Sequence, residues 1–111
     1  MADILRKSEW HLIFELVSRA LKGKQAEIEV ASLTLGSQIE AEWLPFLGIT
    51  YDPQNNLIEI LLSGVDHLIR NPERVAIESQ GALVSAIEVV DHDGTQQILR
   101  LRDPMMLPVL H

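Results

Sequence analysis

There is no cysteine among the 111 residues. That absence removes disulfides, thiolate zinc sites, iron–sulfur clusters and cysteine nucleophiles from consideration. Basic residues are scarce as well: nine Lys and Arg stand against sixteen Asp and Glu, a formal net charge of −7. A nucleic-acid binder needs a basic surface to displace counterions from phosphates, and an anionic membrane surface asks for the same, so neither partner is expected. Apolar runs are short, and none approaches the ~20 residues of a membrane helix. The opening stretch MADILRKSEW sets charges beside a brief apolar segment with no small-residue cleavage site, so it does not read as a signal peptide. The expected compartment is the cytoplasm.

What is present describes a globular chain. Hydrophobic residues make up 47% of it, and no repeat or low-complexity linker divides it, so residues 1–111 read as one domain. A domain of this size buries roughly two-thirds of its unfolded surface, enough for a core without covalent staples. The stretch SEWHLIFELVSRALKG predicts a helix over 8–22, because Trp10, Ile13, Phe14, Val17 and Leu21 recur at three- and four-residue spacing. Ser8 reads as its N-cap, and Gly23 sits where a left-handed residue ends helices.

Beyond Gly23 the period changes to two, and residues 25–102 read as a meandering antiparallel sheet of about seven short strands. AEIEVASLTL and GSQIEAEWL form a hairpin about Gly36 and Ser37, with Glu27, Glu29, Glu40 and Glu42 on its polar face. ITYD and LIEILLSG follow around DPQNN, a turn with proline at its first corner. VDHLIRNPE reads as a short helical turn over 65–70, ended by Pro72. Strands resume at RVAIES, ALVSAIEVVD and QQILRLR. DPMMLPVLH, residues 103–111, reads as an extended apolar tail. The expected architecture is α+β, with the N-terminal helix packed on the sheet; pattern alone leaves an open sheet, a roll and a small barrel as alternatives.

The segments SEWHLIFELVSRALKG, AEIEV, LGSQIEAEWLPFLGITYD, DHLIRNPERVAI and IEVVDHDG together resemble a small bacterial single-domain family of unknown function. The resemblance spans nearly the whole chain. It implies a bacterial, free-standing domain and brings no activity, ligand or catalytic residue with it.

Four features carry candidate chemistry. Asp91 and Asp93 share a side of an extended strand and offer two carboxylates to a divalent cation. His92 points away from both, however, and the following TQQILRL supplies few further ligands. A three-residue hairpin loop His92-Asp93-Gly94, with Gly94 left-handed, explains the same cluster. It sets Ile87 opposite Leu99 and Val89 opposite Gln97. His67 is the second candidate, with Asp66 to orient its ring and Tyr51 or Asp52 to help, a constellation for a small enzyme or a metal- or ligand-binding site. Its plainer reading is a histidine bridging the turn before Asn71-Pro72. His11 and His111 read as a helix-flank residue and a chain end. The third feature is the glutamate group, either a docking surface for a basic partner or an ordinary solvated face. The fourth is the tail, where Met105, Met106 and Leu107 with Val109 and Leu110 ask for cover from the domain or from another subunit, which makes a homodimer an expectation.

No nucleotide-binding glycine loop, nucleophile elbow or metal-binding helix motif is present, and no cofactor is expected. The reading that follows is a non-enzymatic protein-interaction or regulatory module, homodimeric, with a protein partner; the alternative is the small enzyme or ligand-binding domain centred on His67 and Asp66.

Overall fold

The computed structural model of the chain describes residues 2–81 and 83–103. Helix α1 (Trp10–Leu21) exists because its apolar stripe has somewhere to go: Trp10, Phe14, Val17 and Leu21 are all buried against the sheet. Ser8 does not cap it. A 3-10 turn, Lys7–Glu9, leads into the helix, and the Glu9 carboxylate accepts from the Arg6 amide at 3.0 Å. Gly23 ends the helix in the left-handed region as expected, with φ of 91°.

Eight antiparallel strands complete the described chain: β1 (Ala2–Leu5), β2 (Gln25–Ser32), β3 (Gly36–Asp52), β4 (Leu57–Leu62), β5 (Val65–Arg70), β6 (Pro72–Gln80), β7 (Leu83–Asp91) and β8 (Gln96–Arg102). Their spatial order is β1-β6-β7-β8-β2-β3-β4-β5. The α+β architecture of one helix on a large antiparallel sheet therefore holds, with eight strands in place of about seven.

Three elements differ from the sequence expectation. Residues 65–70 are strand β5, not a helical turn: they pair along their length with β4, from Leu62 opposite Val65 to Leu57 opposite Arg70. Pro72 bars helix at Asn71 but begins a strand equally well, and Gly64, at φ of 80°, makes the tight connection. GSQIEAEWL and ITYD, read as separate strands, are one strand of 17 residues. Trp43 at φ of 50° and a register shift between Phe46 and Gly48 bend β3 without interrupting it. Strand β1, too short and too close to charges to show in the pattern, pairs with β6.

The bend in β3 lets the sheet curl. Its first half pairs with β2 and its second, from Phe46 onward, with β4. His67 on β5 hydrogen-bonds Gln97 on β8. Those strands lie four positions apart in the sheet order, about 19 Å if the sheet were flat. Asn71, at φ of 54°, carries the chain from β5 into β6, and its carbonyl accepts from the His92 amide at 2.9 Å. The sheet is thus rolled but not closed, since among the described residues no ladder joins β5 to β1. Inside the roll, Ile28, Phe46, Ile58, Ile60, Ile87 and Leu99 meet the helix stripe in one core.

Helix α1 does more than fill the roll. Ser18 Oγ accepts from the Ile49 amide at 2.9 Å and donates to the Ile49 carbonyl at 3.0 Å, taking the place of a neighbouring strand beside the second half of β3.

Candidate interaction surface

Strand alternation separates the residues of the alternative, catalytic or ligand-binding, centre. On β5, Val65, His67 and Ile69 turn inward and Asp66, Leu68 and Arg70 outward. His67, opposite buried Ile60, reaches the buried side chain of Gln97. Asp66 lies on the other face, where its hydrogen bond with Glu59, together with burial, holds the Glu59 carboxyl above the ordinary glutamate range. Tyr51 packs edge-on against Trp10, with ring centroids 5.0 Å apart, and its hydroxyl donates to Asn56 at 3.2 Å. Asp52 caps the turn after β3: it accepts from the Gln54 amide at 3.0 Å and the Asn55 side-chain amide at 2.7 Å, and the latter holds its carboxyl below the ordinary range. These four residues serve four different local structures. His11 sits on the exposed flank of α1.

The Asp91-His92-Asp93-Gly94 cluster is a hairpin corner. Ile87 stands opposite Leu99 and Val89 opposite Gln97, the expected register, and Gly94 has φ of 79°. One oxygen of Asp91 accepts from the amides of Asp93 at 2.9 Å and Thr95 at 3.0 Å, so it is already engaged in shaping the loop. His92 turns instead to Glu73, at 2.8 Å, which raises its pKa above the ordinary histidine value. Among the described residues no three His, Asp or Glu side chains converge as a metal site would require.

The glutamates divide into two groups. Glu27 and Glu29 flank Arg100 on β8, at 3.3 Å and 2.6 Å, and Ser37 donates a further hydrogen bond to Glu29. That serine and Arg100 hold the Glu29 carboxyl below its ordinary range, while the two carboxylates raise Arg100. Two of the four glutamates are therefore engaged within the fold, where they share one guanidinium. Glu40 and Glu42 are exposed on β3. A register shift between Ile28 and Glu29 puts Ile39 opposite outward-facing Glu29 and Ala41 opposite buried Ile28, so Ile39 and Ala41 lie on opposite faces although they are two residues apart.

A surface absent from the sequence reading lies in the same place. Beyond Ala31 the β2–β3 hairpin extends past the last residue of β8 that pairs with it, and residues 33–40 are all exposed. At its corner Leu33 is fully exposed and Leu35 is 71% exposed, followed by Ile39 at 51%. Among the described residues no strand pairs with residues 36–44 on the side away from β2, because β4 joins only at Phe46. The hairpin is an arm with an apolar tip and one open edge, and Glu40 and Glu42 lie along that edge. Its sequence signal was the pair of leucines in LTLG: Gly36 marks a turn, and residues at a turn are outside the core.

Met105, Met106 and Leu107 lie outside the described residues. No helix among the described residues is long and apolar enough to cross a membrane.

No solved structure matches the chain. It is similar to an uncharacterised protein of Aquifex aeolicus (strain VF5), with 36% identity over 103 residues that cover 92% of this chain and 93% of the other. Residues 1–110 match the model of a family described as of unknown function, DUF5335, and to that family the chain belongs.

Proposed function

We propose that the protein is a non-enzymatic interaction module that offers the β2–β3 arm to a protein partner. The observation that carries this reading is the open edge of β3 at residues 36–44, next to exposed Leu33, Leu35 and Ile39. An open edge presents unpaired amides and carbonyls to which an extended segment adds as a further strand, while apolar side chains beside it supply affinity. Glu40 and Glu42 select the occupant. Edge-to-edge pairing with a second copy would bring acidic side chains together, whereas a strand that alternates apolar residues with Lys or Arg meets opposite charge. The favoured partner is accordingly a basic, extended segment of another protein. Homodimerisation takes second place here, since Ile58, Ile60 and Leu62 of LIEILL are buried in the chain's own core.

Panning a displayed random-peptide library on the immobilised protein tests the proposal. Enriched peptides should carry alternating apolar and Lys/Arg residues, lose binding as salt rises, and fail to bind the Glu40→Lys/Glu42→Lys variant. Enrichment that ignores the charge reversal, or no enrichment at all, overturns it.

A further inference from the structure

Strand β5 carries an unpaired edge of a different kind from that of the arm. It ends the strand order, and among the described residues no strand pairs with it on the side away from β4. The Asn71 amide donates to the Asn56 carbonyl at 2.9 Å. Antiparallel alternation carries that hydrogen-bonded phase back along the strand, through Ile69 opposite Ile58, His67 opposite Ile60 and Val65 opposite Leu62. The amides and carbonyls of Asp66, Leu68 and Arg70 therefore point away from β4, toward the open edge. The side chains of the same three residues are exposed on the outer face.

We propose that β5 pairs antiparallel with β5 of a second copy of this chain, about a two-fold axis through Leu68. One register uses every outward-pointing group: Leu68 lies opposite the partner's Leu68, Asp66 opposite the partner's Arg70, and Arg70 opposite the partner's Asp66. These three pairs exchange about six main-chain hydrogen bonds. A slip of two residues leaves some of those groups unpaired and sets Asp66 against leucine. The charges select this occupant. Asp66 hydrogen-bonds Glu59, so two carboxyl groups meet at this edge. Among the described residues neither Asp66 nor Arg70 has an ion-pair partner. A guanidinium from across the seam supplies the missing cation, and the two-fold axis supplies it twice. Leu68, 42% exposed, is covered by its own counterpart on the axis. The edge also lacks the devices that keep strands apart, since VDHLIR contains no proline or lysine and pairs with β4 without a bulge. A second copy, repelled by the acidic charge of the arm, is thus the occupant that β5 suits, while β4 stays inside its own chain's sheet. The proposal is independent of the arm and stands or falls separately from it.

Analytical ultracentrifugation across the micromolar range tests it, with circular dichroism to confirm that each variant folds. The full chain should form a dimer. Asp66→Arg and Arg70→Asp, each placing like charges across the seam, should both weaken association roughly tenfold or more. An equimolar mixture of those two variants should recover it, because each then meets the opposite charge, and the double variant Asp66→Arg/Arg70→Asp should dimerise alone. Glu40→Lys/Glu42→Lys should dimerise like the unaltered chain, which separates this edge from the arm. A full chain that stays monomeric overturns the proposal, as does a dimer that both single charge reversals leave intact. Loss of the dimer in the single variants with no recovery on mixing also overturns it, since the register demands that recovery.

Discussion

Ser18 on α1 and Ile49 on β3 exchange two hydrogen bonds through a single hydroxyl: Oγ accepts from the Ile49 amide and donates to the Ile49 carbonyl. Ile49 is buried and pairs with β4 on one side, but β2 ends its pairing at Pro45, so among the described residues no strand runs beside Ile49 on the other side. The helix supplies what a ninth strand would have supplied, and Gly48 lies beside the contact, where even a Cβ would meet Ser18 Oγ at an ordinary 3.5 Å.

Ser18→Ala should therefore destabilise the fold even though alanine is the better helix former. Leaving buried backbone groups unpaired costs about 1–3 kcal/mol, against a gain of a few tenths from propensity. A urea titration followed by circular dichroism checks the sign; a variant as stable as wild type would show that the hydroxyl is dispensable.

The corner at Asp91–Gly94 should behave as a turn. Gly94 has room for a Cβ but sits at φ of 79°, so Gly94→Ala should cost about 1–2 kcal/mol from backbone strain alone. Calorimetric titration with calcium, magnesium, manganese or zinc should give no binding tighter than micromolar. A cation bound there and lost on Asp91→Asn would reverse the assignment.

His67 and Gln97 should prove to be a structural pair. His67→Leu alone leaves the Gln97 amide buried without its partner and should cost about 1–3 kcal/mol. Adding Gln97→Leu should recover much of that loss, because two apolar groups of similar size need no hydrogen bond. Chemical denaturation of the two single variants and the double variant measures the coupling.

Acid should weaken the fold through Glu29. Its folded-state pKa is depressed, so its stabilisation is fully present above the ordinary value of 4.5 and is lost as pH falls through the lowered one. Arg100→Gln should flatten that limb of the stability profile. His92 has the opposite sign: its raised pKa contributes below the ordinary 6.5, and the contribution disappears as pH rises through the raised value. NMR titration of His92 should move toward the ordinary value on Glu73→Gln.

How legible was this molecule in its sequence? The helix was, because Trp10, Phe14, Val17 and Leu21 satisfy one period over about three turns. The β7–β8 register was, because loop length and apolar matching both chose Ile87 opposite Leu99. Strand β5 was not: six residues bounded by Gly64 and Pro72 are too short for period to outweigh the turn signals around them. The continuity of β3 was hidden by Pro45 and Gly48, residues that end strands as often as they bend them. The arm was hidden for a different reason. Leu33 and Leu35 look like core residues to any hydrophobicity count, and only the placement of β4 and β8 decides that nothing covers them. The His67–Asp66 pairing failed on alternation, which separates adjacent residues once the segment is a strand.

Strand β3 gives its first half to β2 and its second half to β4. A single covalent rail thus runs through both flanks of the roll, with Ser18 fastened to its far section. Pulling either flank open displaces the strand that the other depends on. The domain is built to melt as one cooperative unit, and the exposed arm sits at the end of the rail where local fraying costs the core least.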